Sequence, residues 1–231
     1  KAELPEPLIQ YSFDGGQEAD DKGKFPGKLH GGAAIVAMDD GNKALYTGSN
    51  GEQGFFDLGV DMARQTFSGL EGDYTMSVAI ALPGVGALDQ YCWAYGFSNG
   101  TEQYVGLVNS PDNTGWYYTI KDGESADAPS HGGLSYGEWH HIAYVQEGNM
   151  GRLYVDGRMA SEQQVTQRPA DMAQELTEAC IRRSPFAADA LMTEAFFDDF
   201  QIYDVALDGG QMKELYARVQ GRAAESREVD M

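Results

Sequence analysis

The chain has little cysteine. Cys92 and Cys180 are the only two in 231 residues, too few for a disulfide-dense scaffold. They read as inert buried thiols, with a single bridge as the alternative in a secreted protein. Basic residues are also scarce: 16 Lys and Arg stand against 36 Asp and Glu, a formal net charge of −20. A surface of that sign repels nucleic acid, anionic membranes and sulfated glycans, favours neutral or cationic ligands, and aids solubility. No apolar run approaches the roughly 20 residues of a membrane-spanning helix, so membrane insertion is not expected. No leader sequence is visible, since Lys1 to Pro7 is polar and proline-containing. That start reads as a mature chain whose leader has been removed, and the expected location is secreted, periplasmic or cell-surface.

With four histidines, chemistry that depends on imidazole has few places to sit. His140 and His141 are adjacent on a strand and point to opposite faces, so they cannot share a metal ion. His141 reads as a core residue, and His30 and His131 are isolated among glycines. No zinc spacing, thiolate nucleophile, Ser-His-Asp set or Gly-x-x-x-x-Gly-Lys phosphate loop emerges.

What is abundant is glycine, 29 residues, between short runs of alternating apolar residues. Examples are "LIQYSF" (8–13), "YTMSVAIAL" (74–82), "QYCWAYGF" (90–97), "GWYYTIK" (115–121) and "EWHHIAYVQ" (138–146), with "EGNMG" (147–151) as a hairpin loop. Many strands with almost no helical periodicity predict two packed antiparallel sheets in one domain. One helix stands out. In "DGGQMKELYARV", Met212, Leu215, Tyr216 and Val219 follow i, i+3, i+4, i+7 after an Asp208 cap, so the helix should lie on the sandwich as a lid. The domain is set at 1–220. Residues 221–231, rich in charge, are expected to be a polar tail or linker whose removal costs little. The stretches 122–137 and 161–177 read as unusually long loops.

Several segments taken in order, "YSFDGG", "KALYTGSNGEQGFFDLG", "GEWHHIAYVQEGNMGRLYVDGR" and "FFDDFQIYDVALDGGQMKELY", resemble laminin G-like domains of the concanavalin A-like lectin/glucanase superfamily. The resemblance spans about residues 8 to 217. It implies an all-β, two-sheet antiparallel jelly-roll sandwich with one short C-terminal helix, whose first and last strands are neighbours. Enzymes of that superfamily carry a Glu-x-Asp-x-x-Glu array on one strand. Here Glu71-Gly72-Asp73 lacks the third acid, which weighs against a glucanase of that kind.

Two sets of side chains remain as candidate sites. Tyr91, Trp93, Tyr95 and Phe97 alternate, and period two puts all four on one face. Trp116 and Tyr118 do the same on a later strand. Such rings either fill the inter-sheet core or stack on the apolar face of a sugar. Trp93, Tyr95, Trp116 and Tyr118 are the candidate ligand-binding residues. The second set begins with Asp198, which period two puts in phase with Phe200 and Ile202, so its charge needs a partner. If the first and last strands pair as the resemblance implies, Asp14 and Asp198 converge at one rim, with Asp20 and Asp21 able to fold back. A structural calcium ion, which the resemblance also implies, would suit such a cluster, with Asp14 and Asp198 as ligands. The alternative is that Asp198 caps backbone N–H groups or pairs with Arg182 or Arg183.

The expected function is a secreted, non-catalytic glycan-binding or interaction module associated with polysaccharide degradation. Its expected partner is a neutral polysaccharide or oligosaccharide. The alternatives are a glycoside hydrolase or lyase with acids drawn from Glu102, Asp112 or Glu138, and an adhesion module with a protein partner.

Overall fold

The computed structural model describes residues 2–49, 51–84, 90–123, 125–189 and 194–224. In chain order its strands are β1 (Ile9–Tyr11), β2 (Lys28–His30), β3 (Ala34–Ala37), β4 (Lys43–Tyr46), β5 (Phe55–Asp57), β6 (Tyr74–Ala81), β7 (Cys92–Asn99) and β8 (Gln103–Asn109). They continue as β9 (Gly115–Asp122), β10 (Ser125–Asp127), β11 (Ser130–Gly132), β12 (Trp139–Glu147), β13 (Met150–Val155), β14 (Arg158–Gln164), β15 (Glu178–Ile181) and β16 (Phe196–Tyr203). They form two sheets of eight strands. One runs β14-β13-β12-β6-β16-β4-β3 with β1 beside β16, and the other runs β10-β9-β8-β7-β15-β5-β2 with β11 beside β9. Every pairing is antiparallel, and β1 lies against β16 with Ile9 opposite Ile202 and Tyr11 opposite Phe200. The first and last strands are therefore neighbours. This is the expected two-sheet sandwich.

The core lies between the sheets and is largely aromatic. Phe200 of the first sheet meets Tyr95 of the second with centroids 5.3 Å apart and Phe97 at 6.1 Å. Tyr118 stacks on Tyr144 across the same gap at 3.6 Å. The outer faces are treated differently. On the first sheet, Ala143, Val145 and Tyr203 are covered by Met212 and Leu215 of helix α2 (Gly209–Ala217), and Tyr46, Trp139 and Phe196 by Val219 and Ala224. Asp208 caps α2 as expected, accepting the Gln211 N–H at 2.9 Å in a reciprocal capping box. No described helix lies over the aromatic part of the second sheet's outer face.

Some local readings are corrected. A second α-helix, α1 (Val60–Phe67), buries Met62, Ala63, Thr66 and Phe67. Those positions follow i, i+1, i+4, i+5, a helical signal that the short stretch hid. The 122–137 segment contains β10 and β11, and 161–177 contains the end of β14 and a 3-10 turn at Pro169–Glu175. Residues 221–224 are not a free tail, because Arg222 and Ala224 pack onto the first sheet. The remainder of that tail, 225–231, lies outside the described residues.

Two β-bulges matter most. The β7–β8 register shifts between Trp93 and Tyr95, and the β16–β6 register shifts between Asp198 and Gln201. An extra residue in one strand reverses the in-out phase beyond it. Trp93 therefore faces outward while Tyr95 and Phe97 face the core. Likewise Asp198 faces the outer side while Phe200 and Ile202 face inward, with Asp199 held at φ 44 in between. A carboxylate does not share a face with two large apolar side chains after all.

Candidate functional site

On the open outer face, a groove of about 380 Å³ is lined by Tyr91, Trp93, Tyr104, Tyr117, Thr119, Phe186 and Asp189, with Ala126 and Ala128 of the β10 segment at its edge. Alternation builds it. Trp116 and Tyr118 point into the core, so Tyr117 between them points out. Trp93 lies flat because its neighbours have no side chains: a Cβ at Gly106 would come within 2.1 Å of the indole, and one at Gly96 within 3.1 Å. Tyr104 meets the indole edge-on at 5.4 Å, and Phe186 packs on both rings, 6.0 Å from Trp93 and 5.5 Å from Tyr104. Asp189 fixes the indole, accepting from Trp93 Nε1 at 2.9 Å and from Ser184 Oγ at 2.6 Å.

Trp93 is only 3% exposed and forms the floor, while Tyr91, at 45%, stands free at the rim. Burial, with smaller contributions from Tyr91, Asp189 and Tyr104, pushes Tyr117 up to about 12, so its hydroxyl stays protonated and can donate or accept. The groove thus offers apolar ring surface beside neutral hydroxyls and one carboxylate.

Of the four predicted ligand-binding residues, only Trp93 reaches this groove. Tyr95, Trp116 and Tyr118 are buried in the inter-sheet core. Trp116 Nε1 donates to Asn113 Oδ1 at 2.8 Å, and the Tyr118 and Tyr74 hydroxyls are 2.9 Å apart. Their polar tips are satisfied internally. The groove residues missed by sequence reasoning, Tyr104, Tyr117, Phe186 and Asp189, come from three separate segments. Tyr117 alone carried a signal, being out of phase with the two core rings beside it.

The predicted calcium ligands are placed differently from expectation. Asp14 Oδ1 accepts the Lys43 N–H at 3.1 Å. Asp21 does fold back, but onto Ser12, whose N–H and hydroxyl it accepts at 2.9 and 3.0 Å, and Asp20 accepts the Phe25 N–H at 2.6 Å. Asp198 Oδ1 takes the Asp199 N–H at 2.8 Å and Oδ2 takes Arg222 Nη1 at 3.0 Å. Arg222 also holds Asp40 and lies over the Trp139 ring at 4.5 Å. Arg182 instead donates to the Thr47 and Gly54 carbonyls, and Arg183 pairs with Glu178 at 3.2 Å. Among the described residues no three His, Cys, Asp or Glu side chains are grouped to hold a metal. A guanidinium occupies the position a cation would need, so Asp14 and Asp198 do not fit a calcium ion.

This region makes stability depend on pH. Burial pushes Asp199 up to about 6, with Arg218 pulling against it and Asp14 adding to the push. Burial and the Asp199 charge push Asp198 the same way, against Arg222. Burial draws His140 down, but Asp156 outweighs it and leaves it above its ordinary value. Each of these groups binds its proton more tightly in the folded state. The stability they contribute is full at low pH and lost as pH rises through their folded values. His141 is opposite: burial draws it down to about 4, so its contribution is present above its ordinary value and lost as pH falls toward 4. The melting temperature should therefore rise as pH is lowered from 8 to about 6, with His141 opposing any further rise below that. Asp199→Asn, tolerated at positive φ, should flatten the rise. A melting temperature that instead climbs from pH 6 to 8 would show these carboxylates are not raised.

The fold and its open aromatic groove are those of a binding module. The concanavalin A-like lectin/glucanases superfamily model of laminin G-like domains matches residues 38–212, well over half the chain, and the chain belongs to this family. No curated protein matches. Among solved structures, the binding domain of botulinum neurotoxin DC, in complex with rat synaptotagmin II, superposes with a TM-score of 0.70 at 10% identity. That match covers 93% of this chain and 52% of the toxin chain, so the chain spans about half the length of such relatives. A botulinum neurotoxin type C structure, described as depending on two ganglioside molecules for cell entry, matches at 0.68 and 12%, over 93% and 51% of the two chains. Domain 4 of AbnA, a GH43 extracellular arabinanase from Geobacillus stearothermophilus in complex with arabinotriose, matches at 0.65 and 17%. There the match covers 91% of this chain and 98% of the other.

Proposed function

We propose that this chain is a glycan-binding module that holds a neutral polysaccharide or oligosaccharide in the Tyr91–Trp93–Tyr104–Tyr117 groove. It works outside the cytoplasm, beside enzymes that degrade such polymers. The observation that carries this reading is the groove itself, an aromatic surface on a sheet face that no described helix covers. Sugars present one apolar face to a ring and their hydroxyls to the surrounding polar groups, which here are Tyr117, Thr119 and Asp189. A net charge of −20 disfavours anionic glycans and leaves neutral ones. The arabinanase domain supports the reading as a module of equal size whose structure contains a bound oligosaccharide.

Calorimetric titration with arabinan, xylan, mannan and β-glucan oligosaccharides tests it. One class should bind, and Tyr117→Ala or Tyr91→Ala should weaken it about tenfold or more, or roughly 1.4 kcal/mol, with the melting curve unchanged. If every glycan is inert while a protein ligand binds and is lost in the same variants, the module is an adhesion domain, as the toxin–synaptotagmin complex would favour.

A further inference from the structure

A second site lies away from the groove. An open pocket of about 660 Å³ between β11, β12, the β13–β14 turn and α2 is lined by Leu134, Ser135, His140, Asp156, Arg158 and Tyr216, among others. Within it, Ser135 Oγ is 3.0 Å from His140 Nε2, and His140 Nδ1 is 2.8 Å from Asp156 Oδ2. Asp156 is itself fixed. Its Oδ1 accepts the His141 N–H at 2.9 Å, and its own N–H donates to the His141 carbonyl at 2.8 Å. The imidazole is buried and the serine is exposed. A reachable hydroxyl, a base within hydrogen-bond distance, and a carboxylate that orients the base are the parts of a nucleophilic serine centre.

We propose that Ser135, His140 and Asp156 form a nucleophilic centre that hydrolyses carboxylic esters of small acyl groups, an activity separate from glycan binding. Asp156, an acceptor, keeps the proton on Nδ1, and neutral Nε2 faces the serine. Ser135 Oγ bonds to the ester carbonyl carbon as its proton passes to Nε2. The bond from that carbon to the alcohol oxygen then breaks, and the departing oxygen takes the proton from Nε2, leaving an acyl-serine. Water adds to the acyl carbon and gives a proton to Nε2. The carbon–Oγ bond breaks, Oγ regains the proton, and the carboxylic acid leaves. Arg158 on the pocket wall is the cation available to the tetrahedral oxyanion.

The same geometry contains an off state. Glu138 Oε1 is hydrogen-bonded to Ser135 Oγ, and the Ser135 carbonyl lies 3.1 Å from Nε2. When His140 is protonated, Nε2–H donates to the serine oxygens and the hydroxyl donates to Glu138, so Ser135 is not nucleophilic. Loss of that proton turns Nε2 into an acceptor for the hydroxyl. The charged or titratable groups around this switch are Asp156, Glu138, His131, Arg158 and Tyr216. Asp156 and Glu138 hold the proton on His140 against the effect of burial, so activity should rise with pH.

The test uses the full chain, a fluorophosphonate probe and p-nitrophenyl acetate. At about pH 8, one adduct mapped to Ser135 by mass spectrometry is expected, and Ser135→Ala should abolish it and slow ester turnover about 100-fold. The serine is exposed, so this variant should melt as the wild type does. Glu138→Gln removes the charge that helps hold the proton on His140 and should shift the rise in labelling to lower pH. Asp156→Asn should slow labelling. The absence of an adduct at Ser135 from pH 6 to 9, or turnover unchanged in a folded Ser135→Ala protein, would overturn the assignment.

Discussion

Arg222→Ala should destabilise the fold by about 3 kcal/mol at neutral pH, the low end of the range for removing one partner of a buried ion pair. The Arg222 side chain is 9% exposed and that of Asp198 is 4%, so solvent cannot replace the lost partner. Asp198 escapes part of the penalty by taking up a proton, which keeps the cost at the low end and makes it grow as pH rises. The substitution also removes the guanidinium from the Trp139 ring and from Asp40. Denaturant unfolding at pH 6 and pH 8 checks this, with the larger loss expected at pH 8. Asp198→Asn combined with Arg222→Met should recover much of the loss, because it leaves no unpaired charge. Since arginine supplies the positive charge, chelation by EDTA should leave the melting temperature unmoved. A fall on chelation, restored by calcium, would instead show that a metal shares this cluster. Removing residues 221–231 should cost at least as much as Arg222→Ala, contrary to the reading of that segment as a tail.

The second large effect separates two adjacent residues. Trp116→Ala should cost about 3–5 kcal/mol, lowering the melting temperature on the order of 10 °C for a chain of this size. The indole is fully buried, and its Nε1–H donates to Asn113 Oδ1. Asn113 also accepts the Leu134 N–H at 3.2 Å and donates to the Leu134 carbonyl at 2.6 Å, so losing the ring also loosens the turn at Pro111–Asn113. Tyr117→Ala should leave stability within about 1 kcal/mol, because its ring is only partly buried on the outer face, while weakening the proposed glycan binding about tenfold or more. Thermal melts and titrations on the two variants give a direct comparison. A Trp116→Ala protein that melts normally but no longer binds would return that ring to the ligand site.

The aromatic set in β7 shows how far sequence reasoning reaches. "QYCWAYGF" reads as a strand, and it is one from Cys92 to Asn99. Period two then assigns Trp93 and Tyr95 to one face, and the bulge between them puts them on opposite faces. The same error recurs at Asp198 and Phe200, where the bulge carries Asp199 at positive φ. In both strands the composition calls for a strand, and nothing in the local residues announces the inserted position.

The α2 helix was legible down to its cap, because Asp208 and Gln211 are close in sequence and satisfy each other's N–H groups. Helix α1 was not, since its apolar residues are few and acquire meaning only against the sheet they cover.

Alternation and turn residues determined by themselves that this chain is a two-sheet antiparallel sandwich, while the pairing of its first and last strands followed only from the resemblance to laminin G-like domains. Alternation and turn chemistry are local patterns that depend on residues near one another in sequence. Only the tertiary structure decided which rings face solvent, that Arg222 pairs with Asp198, and that Ser135, His140 and Asp156 meet in one pocket. Each of those facts depends on a bulge or on side chains from separate segments. A bulge is stabilised by partners across the sheet, such as the Arg182 N–H that bonds the Ala94 carbonyl at 2.7 Å from a position 88 residues away in the sequence, so its cause lies outside the strand that carries it.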